Sequence, residues 1–322
     1  MVRSVAPLVA VVLLGCSGER PGGIPPHSAD LVAVMMQVPH GAWMTGETPD
    51  TVRSKVEQAV AGAAARKQVA VLVAYAIPGR DCSGYSSGGS QDSLQYQAWI
   101  DGFAQGIGSG NAIVILEPDS LGLLPSNCGT SSRDAERYTE LNDAVDRLSR
   151  QPNARVYLDG THSHWLSVED ATRRLEAAGV RRARGFFLNV SNYQTTSELI
   201  AYGRSISERL GGAHFVIDTS RNGRGPWYPT HAYPDAQDWC NPPGRGLGIR
   251  PTANTGVERL DAYLWVKVPG ESDGSCNRGI AGSSVDPEWA AITGDVNFVD
   301  PPAGQWFPQQ ARQLAELADP PL

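Results

Sequence analysis

Ala112-Ile113-Val114-Ile115-Leu116 runs without a break into Glu117-Pro118-Asp119-Ser120. Five apolar residues, three of them β-branched, read as a strand buried on both faces, and the acidic residues take over where it ends. The pattern recurs along the chain. Residues 69–75 lead into Pro78-Gly79-Arg80-Asp81-Cys82, residues 155–158 into Asp159-Gly160-Thr161-His162, and residues 185–188 into Asn189-Val190-Ser191-Asn192. Residues 214–217 precede Asp218-Thr219-Ser220-Arg221, and residues 262–266 precede Lys267 and Glu271-Ser272-Asp273. Amphipathic helical stretches fall between these runs at 50–67, 92–107, 133–150, 168–178 and 195–210, several opening on an Asp, Ser or Thr suited to an N-cap. Strand alternating with helix requires parallel strands joined by right-handed crossovers. Six or seven units with no break in composition fit a single α/β domain, a TIM-like parallel barrel.

Every run gives way to charged or amide residues at its C-terminal end, the rim where α/β barrels build their sites. One such cluster could be a helix cap; six in succession need another reason. Asp81, Asp119, Asp159 and Asp273 are expected to converge there. Crowded carboxylates repel, so at least one must hold a proton near neutrality. A protonated and an ionised carboxyl together supply a general acid and a general base, the pair that glycoside hydrolysis needs. Two other uses compete: binding a divalent metal, and ion pairing with Arg80, Arg221 and Lys267. No DxD, EF-hand, CxxC or HxxxH spacing supports a metal, and no metal or cofactor is expected. Gly106, Gly108 and Gly110 follow a helix and precede a strand, the wrong setting for phosphate binding.

The chain has 322 residues and a net charge of −7, from 27 Lys plus Arg against 34 Asp plus Glu, with no basic stripe for nucleic acid. Eight Trp and ten Tyr stand against six Phe, an excess of rings with a polar edge. Trp43, Trp165 and Trp239 lie beside polar clusters and suit stacking on the C–H face of a sugar, whereas Trp99, Trp265, Trp289 and Trp306 read as core. Near the N-terminus, residues 6–14 form an apolar run too short to span a bilayer but right for a signal peptide, and Leu13-Leu14-Gly15-Cys16 resembles a lipobox. The expected division is an export segment at 1–15, lipidation at Cys16, a tether over 16–30, and one domain over 31–322. Export places Cys82, Cys128, Cys240 and Cys276 in an oxidising compartment, where four cysteines allow three pairings.

Taken in order, Tyr75…Arg80-Asp81-Cys82, Glu117-Pro118-Asp119, Leu158-Asp159, Asn189-Val190-Ser191-Asn192-Tyr193, Asp238-Trp239-Cys240-Asn241 and Trp265-Val266-Lys267…Gly270-Glu271-Ser272-Asp273-Gly274 resemble glycoside hydrolase family 6. These motifs run from about residue 38 to the C-terminus. The family comprises secreted endoglucanases and cellobiohydrolases, so the resemblance implies a distorted, seven-stranded barrel that cleaves β-1,4-glucan with inversion. By that resemblance Asp119 is the general acid, Asp81 supports its protonation, Ser87 holds water, and Asp159 stabilises oxocarbenium-like charge. Asp273 matches the residue assigned as base, acting directly or through a water relay, and Tyr75 matches a tyrosine pressed near the cleaved sugar. His162, Asn189, Lys267 and Glu271 match ligands of sugar hydroxyls; Trp43, Trp165 and Trp239 match stacking platforms. The resemblance also pairs Cys82 with Cys128 and Cys240 with Cys276. Gly160-Thr161 departs from the family's commoner Ala-Gly at that place.

The expected partner is a β-1,4-glucan, with no nucleic acid, no membrane contact beyond a lipid anchor, and a monomeric protein outside the cell. Endoglucanase action is favoured over a cellobiohydrolase, whose long loops make a tunnel. A glucan-binding lipoprotein without activity is the remaining alternative; it would need the tryptophans but not Asp119.

Overall fold

A computed structural model describes residues 28–322; the expected export segment, Cys16 and the tether up to residue 27 lie outside the described residues. The described residues form seven strands, β1 Ala42–Met44, β2 Ala70–Ala74, β3 Ala112–Leu116, β4 Ala154–Asp159, β5 Gly185–Leu188, β6 His214–Asp218 and β7 Leu260–Leu264. They pair in sequence order, all parallel. Helices α2 Pro49–Ala65, α3 Ser93–Ile107, α4 Asp134–Leu148, α5 Val168–Ala177 and α6 Thr196–Arg209 supply the crossovers. The sheet curls into the expected barrel. Its seam is held by two bonds rather than a ladder: the Gly41 N–H donates to Trp265 O at 2.8 Å and Trp43 Nε1 to Val266 O at 2.9 Å. Gly41 is glycine for a reason, since a Cβ there would lie 2.4 Å from Val266 O.

The apolar runs bury both faces with a period of two. Leu72, Val114, Phe186 and Ile217 face the helices, while their neighbours Val73, Ile115, Phe187 and Val216 fill the barrel interior. Side-chain caps set the helix starts. Thr48, Asp92, Ser167 and Thr195 each accept a backbone N–H three residues on, and Thr195 with Glu198 completes a capping box.

Several features differ from the sequence reading. Helix α1, Ser28–Gln37, begins inside the stretch expected as tether; with the helix Pro308–Glu316 it packs near Trp265 and Leu247. Strand β1 was not among the expected runs, having three residues and a ladder on one side only. Strand β7 ends at Leu264, two residues early, because the N–H groups of Val266 and Lys267 bond the Asp218 carboxylate instead of a strand. Both disulfides suggested by the resemblance are present, Cys82–Cys128 and Cys240–Cys276. No helix among the described residues is long and apolar enough to cross a membrane.

Candidate active site

Three strand-end carboxylates build the rim rather than line it. Glu117, just beyond β3, accepts the N–H groups of Ala76 and Ile77 in the loop after β2. Asp159, closing β4, accepts those of Leu121 and Gly122 after β3 and of Thr161 in its own loop. Asp218, closing β6, accepts from Ser191, Ser220, Val266 and Lys267. Each acid ties the loop it begins to its neighbours, so the loops leave the barrel at fixed angles. Burial pushes Glu117 up to about 7 and Asp159 up to about 6. Backbone strain collects on the same rim. Lys67 and Arg259 apart, the non-glycine residues with positive φ among the described residues all sit in loops after strand ends. They include Asp81 at 59°, Asp119 at 67°, Thr161 at 57° and Asn189 at 68°. Such conformations cost free energy and persist where the surroundings enforce them, commonly at functional sites.

Above these anchors lies a cleft of about 950 Å³. One wall carries Tyr75, Asp81, Ser87 and Asp119. The Tyr75 hydroxyl donates to Asp119 at 3.4 Å, and Arg80 packs over the Tyr75 ring at 4.7 Å. Among the described residues no cation pairs with Asp119. Burial, then the charges of Asp159 and Asp81, push its carboxyl well above the ordinary range, which favours the protonated form. Burial also raises Asp81, against a bond from the Ser86 N–H.

The opposite wall carries Asp273 in the reverse setting. Arg221, fully buried, donates to it at 2.8 Å, and Lys267 Nζ lies 3.4 Å away. The Asn241 N–H adds a bond at 3.0 Å and the Tyr193 hydroxyl one at 3.4 Å. Burial would raise this carboxyl, but the charges of Arg221 and Lys267 outweigh it and hold Asp273 below the ordinary range. One cleft therefore presents a carboxyl biased to keep its proton and a carboxylate biased to stay ionised.

Of the expected sugar-binding residues, Trp43, His162, Trp165, Trp239, Lys267 and Glu271 line the cleft. Trp43 meets Tyr75 edge-on at 5.4 Å, and Trp239 is 43% exposed, a free platform. Burial lowers His162 to about 4, so its imidazole is neutral; its Nδ1 faces the His164 N–H at 3.3 Å, which leaves Nε2 as the donor. Asp159 and Asn189 were expected to reach substrate, but both lie behind the wall. The oxygens of Asp159 are taken by backbone N–H groups. Asn189 is 1% exposed and bonds Asn192 O, Asp218 O and the Gln194 N–H. Trp99, Trp265 and Trp289 are buried as expected; Trp306 is 41% exposed.

The sequence reading missed Tyr193 and Tyr85 as parts of the site. Tyr85 crosses from the loop after β2 to within 6.1 Å of Trp239, and its ring occupies the space a Cβ on Gly274 would need. Its one signal was an aromatic set in the small-residue run Ser83-Gly84-Tyr85-Ser86-Ser87. Cys276, Asp286 and Asp300 bring ligand-type atoms together, but the Cys276 sulfur is spent in a disulfide and Asp286 is paired with Arg278 at 2.5 Å. That set does not suit a metal.

The model of Glycosyl hydrolases family 6 matches residues 25–318. Endoglucanase A of Cellulomonas fimi is 44% identical over 86% of this chain, and Endoglucanase A of Thermobispora bispora is 41% identical over 74%. The matches cover 54% and 51% of those two proteins, so the chain spans about half their length. The endoglucanase Cel6 from Mycobacterium tuberculosis, solved with methyl-cellobiosyl-4-deoxy-4-thio-β-D-cellobioside, superposes with a TM-score of 0.78 at 42% identity. That superposition covers 91% of this chain and 90% of the other. With its motifs in order, its barrel and its opposed carboxyls, the chain belongs to glycosyl hydrolase family 6.

Proposed function

We propose that the protein hydrolyses internal β-1,4-glucosidic bonds of cellulose or a related β-glucan, inverting the anomeric carbon. The observation that carries this reading is the opposition of Asp119 and Asp273, two aspartates driven to opposite charge states across one cleft. Asp119 protonates the leaving glycosidic oxygen. Asp273 takes the proton of the attacking water, directly or through a water held by Ser87 and Asp81. An inverting enzyme keeps such a pair about 6.5–9.5 Å apart to admit that water. The six cleft residues named above hold the sugars by stacking and by bonds to hydroxyls. Asp159 and Asn189 act from behind the wall, Asp159 through its negative charge beneath Asp119 and Asn189 by fixing the loop after β5.

The endoglucanases among the relatives support internal cutting. A viscosity assay on carboxymethylcellulose, run with a reducing-end assay, tests it: a rapid fall in viscosity early in the reaction is expected. Steady release of cellobiose at nearly constant viscosity would favour a cellobiohydrolase, and tight binding without hydrolysis a glucan-binding protein. We also propose that the domain over 31–322 acts as a monomer outside the cell, after export directed by residues 1–15 and lipidation at Cys16. Mass spectrometry of the mature N-terminus tests the lipidation; a free thiol at Cys16 or an uncleaved leader would refute it.

A further inference from the structure

We propose that Asn241 is a positioning residue of the reaction, gripping Asp273 at both its backbone and its carboxylate. The inference rests on the hydrolase reading above.

Asn241 is fully buried, next to the Cys240–Cys276 disulfide, with φ of 42°. Its backbone N–H donates to the Asp273 carboxylate at 3.0 Å, and its side-chain Oδ1 accepts the Asp273 backbone N–H at 2.8 Å. A backbone N–H only donates, so the amide oxygen must face Asp273 and the NH₂ must face away. Behind it the NH₂ meets Asp300 Oδ2 at 2.8 Å, with Ser272 Oγ and Gly274 O at 2.9 Å each. Two hydrogens serve this ring of acceptors from both sides of Asp273, so the amide has one stable orientation. The Asn241 carbonyl is held in turn by Trp289 Nε1 at 2.8 Å, and Gln310 Nε2 lies 3.2 Å from Oδ1.

Arg221 and Lys267 hold Asp273 at its carboxylate, Arg221 through an N–H bond of 2.8 Å. Asn241 holds both the backbone N–H and one carboxylate oxygen, and so fixes the two ends of the residue together. A misplacement of about 1 Å in such a group costs roughly 10²-fold in rate. The charged or titratable groups around this junction are Arg221, Lys267 and Tyr193 on the cleft side, and Asp300, Asp286 and Arg278 behind.

The test compares Asn241→Ser, Asn241→Asp and Trp289→Phe on a soluble cello-oligosaccharide. Asn241→Ser is expected to lower kcat by roughly 10²-fold with KM nearly unchanged. Asn241→Asp keeps the acceptor for the Asp273 N–H and should recover at least tenfold of that loss. It also places a second acid beside Asp273, which moves the acidic limb of the pH profile to higher pH. Trp289→Phe loosens Asn241 from behind without touching Asp273; it should lower Tm while kcat stays within about threefold. Hydrolysis by the unaltered protein is the separate check on the hydrolase reading. Given that hydrolysis, unchanged kcat in Asn241→Ser overturns the inference, as does equal loss of kcat in Asn241→Ser and Trp289→Phe. If Asn241→Ser does not fold, Asn241→Asp decides alone, and an unmoved acidic limb overturns the inference.

Discussion

The two walls of the cleft carry the same side chain in opposite conditions. Asp119 has three other carboxylates as electrostatic neighbours, Asp159, Asp81 and Asp273, and among the described residues a single weak side-chain donor, the Tyr75 hydroxyl. Asp273 has a guanidinium, an ammonium and a backbone N–H. Both are desolvated, so burial does not distinguish them; the sign of the neighbouring charge does. One substitution made on either wall should therefore have like effects on activity and opposite effects on stability.

Asp119→Asn removes the proton donor, and hydrolysis of a glucan with a poor leaving group should fall by about 10⁴-fold, the upper end for a general acid. Its melting temperature should rise. A carboxyl whose folded pKa is raised binds its proton more tightly folded than unfolded. The unaltered protein thus loses stability as pH climbs above the ordinary Asp range, and an amide does not. The gain in Tm should be near zero at pH 3 and grow towards pH 8. A fall in Tm at pH 8 would mean that Asp119 is held as a stabilised anion and is not the acid.

Asp273→Asn should cost about 10²-fold in activity. Here Tm should fall, because fully buried Arg221 loses its partner; breaking a buried pair from one side costs about 3–5 kcal/mol. The depressed pKa of Asp273 stabilises the fold above the ordinary carboxylate range and stops doing so as pH drops through the folded value. The deficit of the variant should accordingly shrink in acid. Chemical denaturation at pH 7 and pH 3 measures both.

How far this contrast could be read from sequence depends on the range of the forces. The strand runs were legible because a strand buried on both faces must be apolar throughout, whatever surrounds it. The positions of Asp119 and Asp273 were legible for the same reason, lying in the acidic clusters that follow such runs. Their charge states were not, since Arg221 approaches Asp273 from 52 residues away in sequence. Asp159 shows the limit most plainly. It follows its strand as expected, yet its oxygens turn down to the N–H groups of Leu121 and Gly122, a choice set by a neighbouring loop. Trp306 reads as core by composition, and only the packing of the last loops leaves its ring in solvent.

The contrast also fixes the two limbs of the pH profile. Hydrolysis needs Asp119 protonated and Asp273 ionised, so kcat/KM should fall in acid below the ordinary Asp range and in alkali well above it. Lys267→Met takes a positive charge from Asp273 and Glu271 on one wall and should move the acidic limb up by about one unit, leaving the alkaline limb in place. Movement of the alkaline limb instead would show that the two walls are assigned the wrong way round.

The smallest effect sits on the Asp119 wall. Tyr75→Phe keeps the ring that meets Trp43 edge-on and removes only the hydroxyl 3.4 Å from Asp119. That hydroxyl donates to the ionised carboxylate and so pulls the Asp119 pKa down against burial and its acidic neighbours. Without it the pKa rises further, and the alkaline limb should move to higher pH by less than one unit. The rate at the optimum should change by no more than about tenfold, because the bond is long and the acid is already protonated there. A shift to lower pH would mean that the hydroxyl accepts from a protonated Asp119, which would make Tyr75 a partner of the acid form.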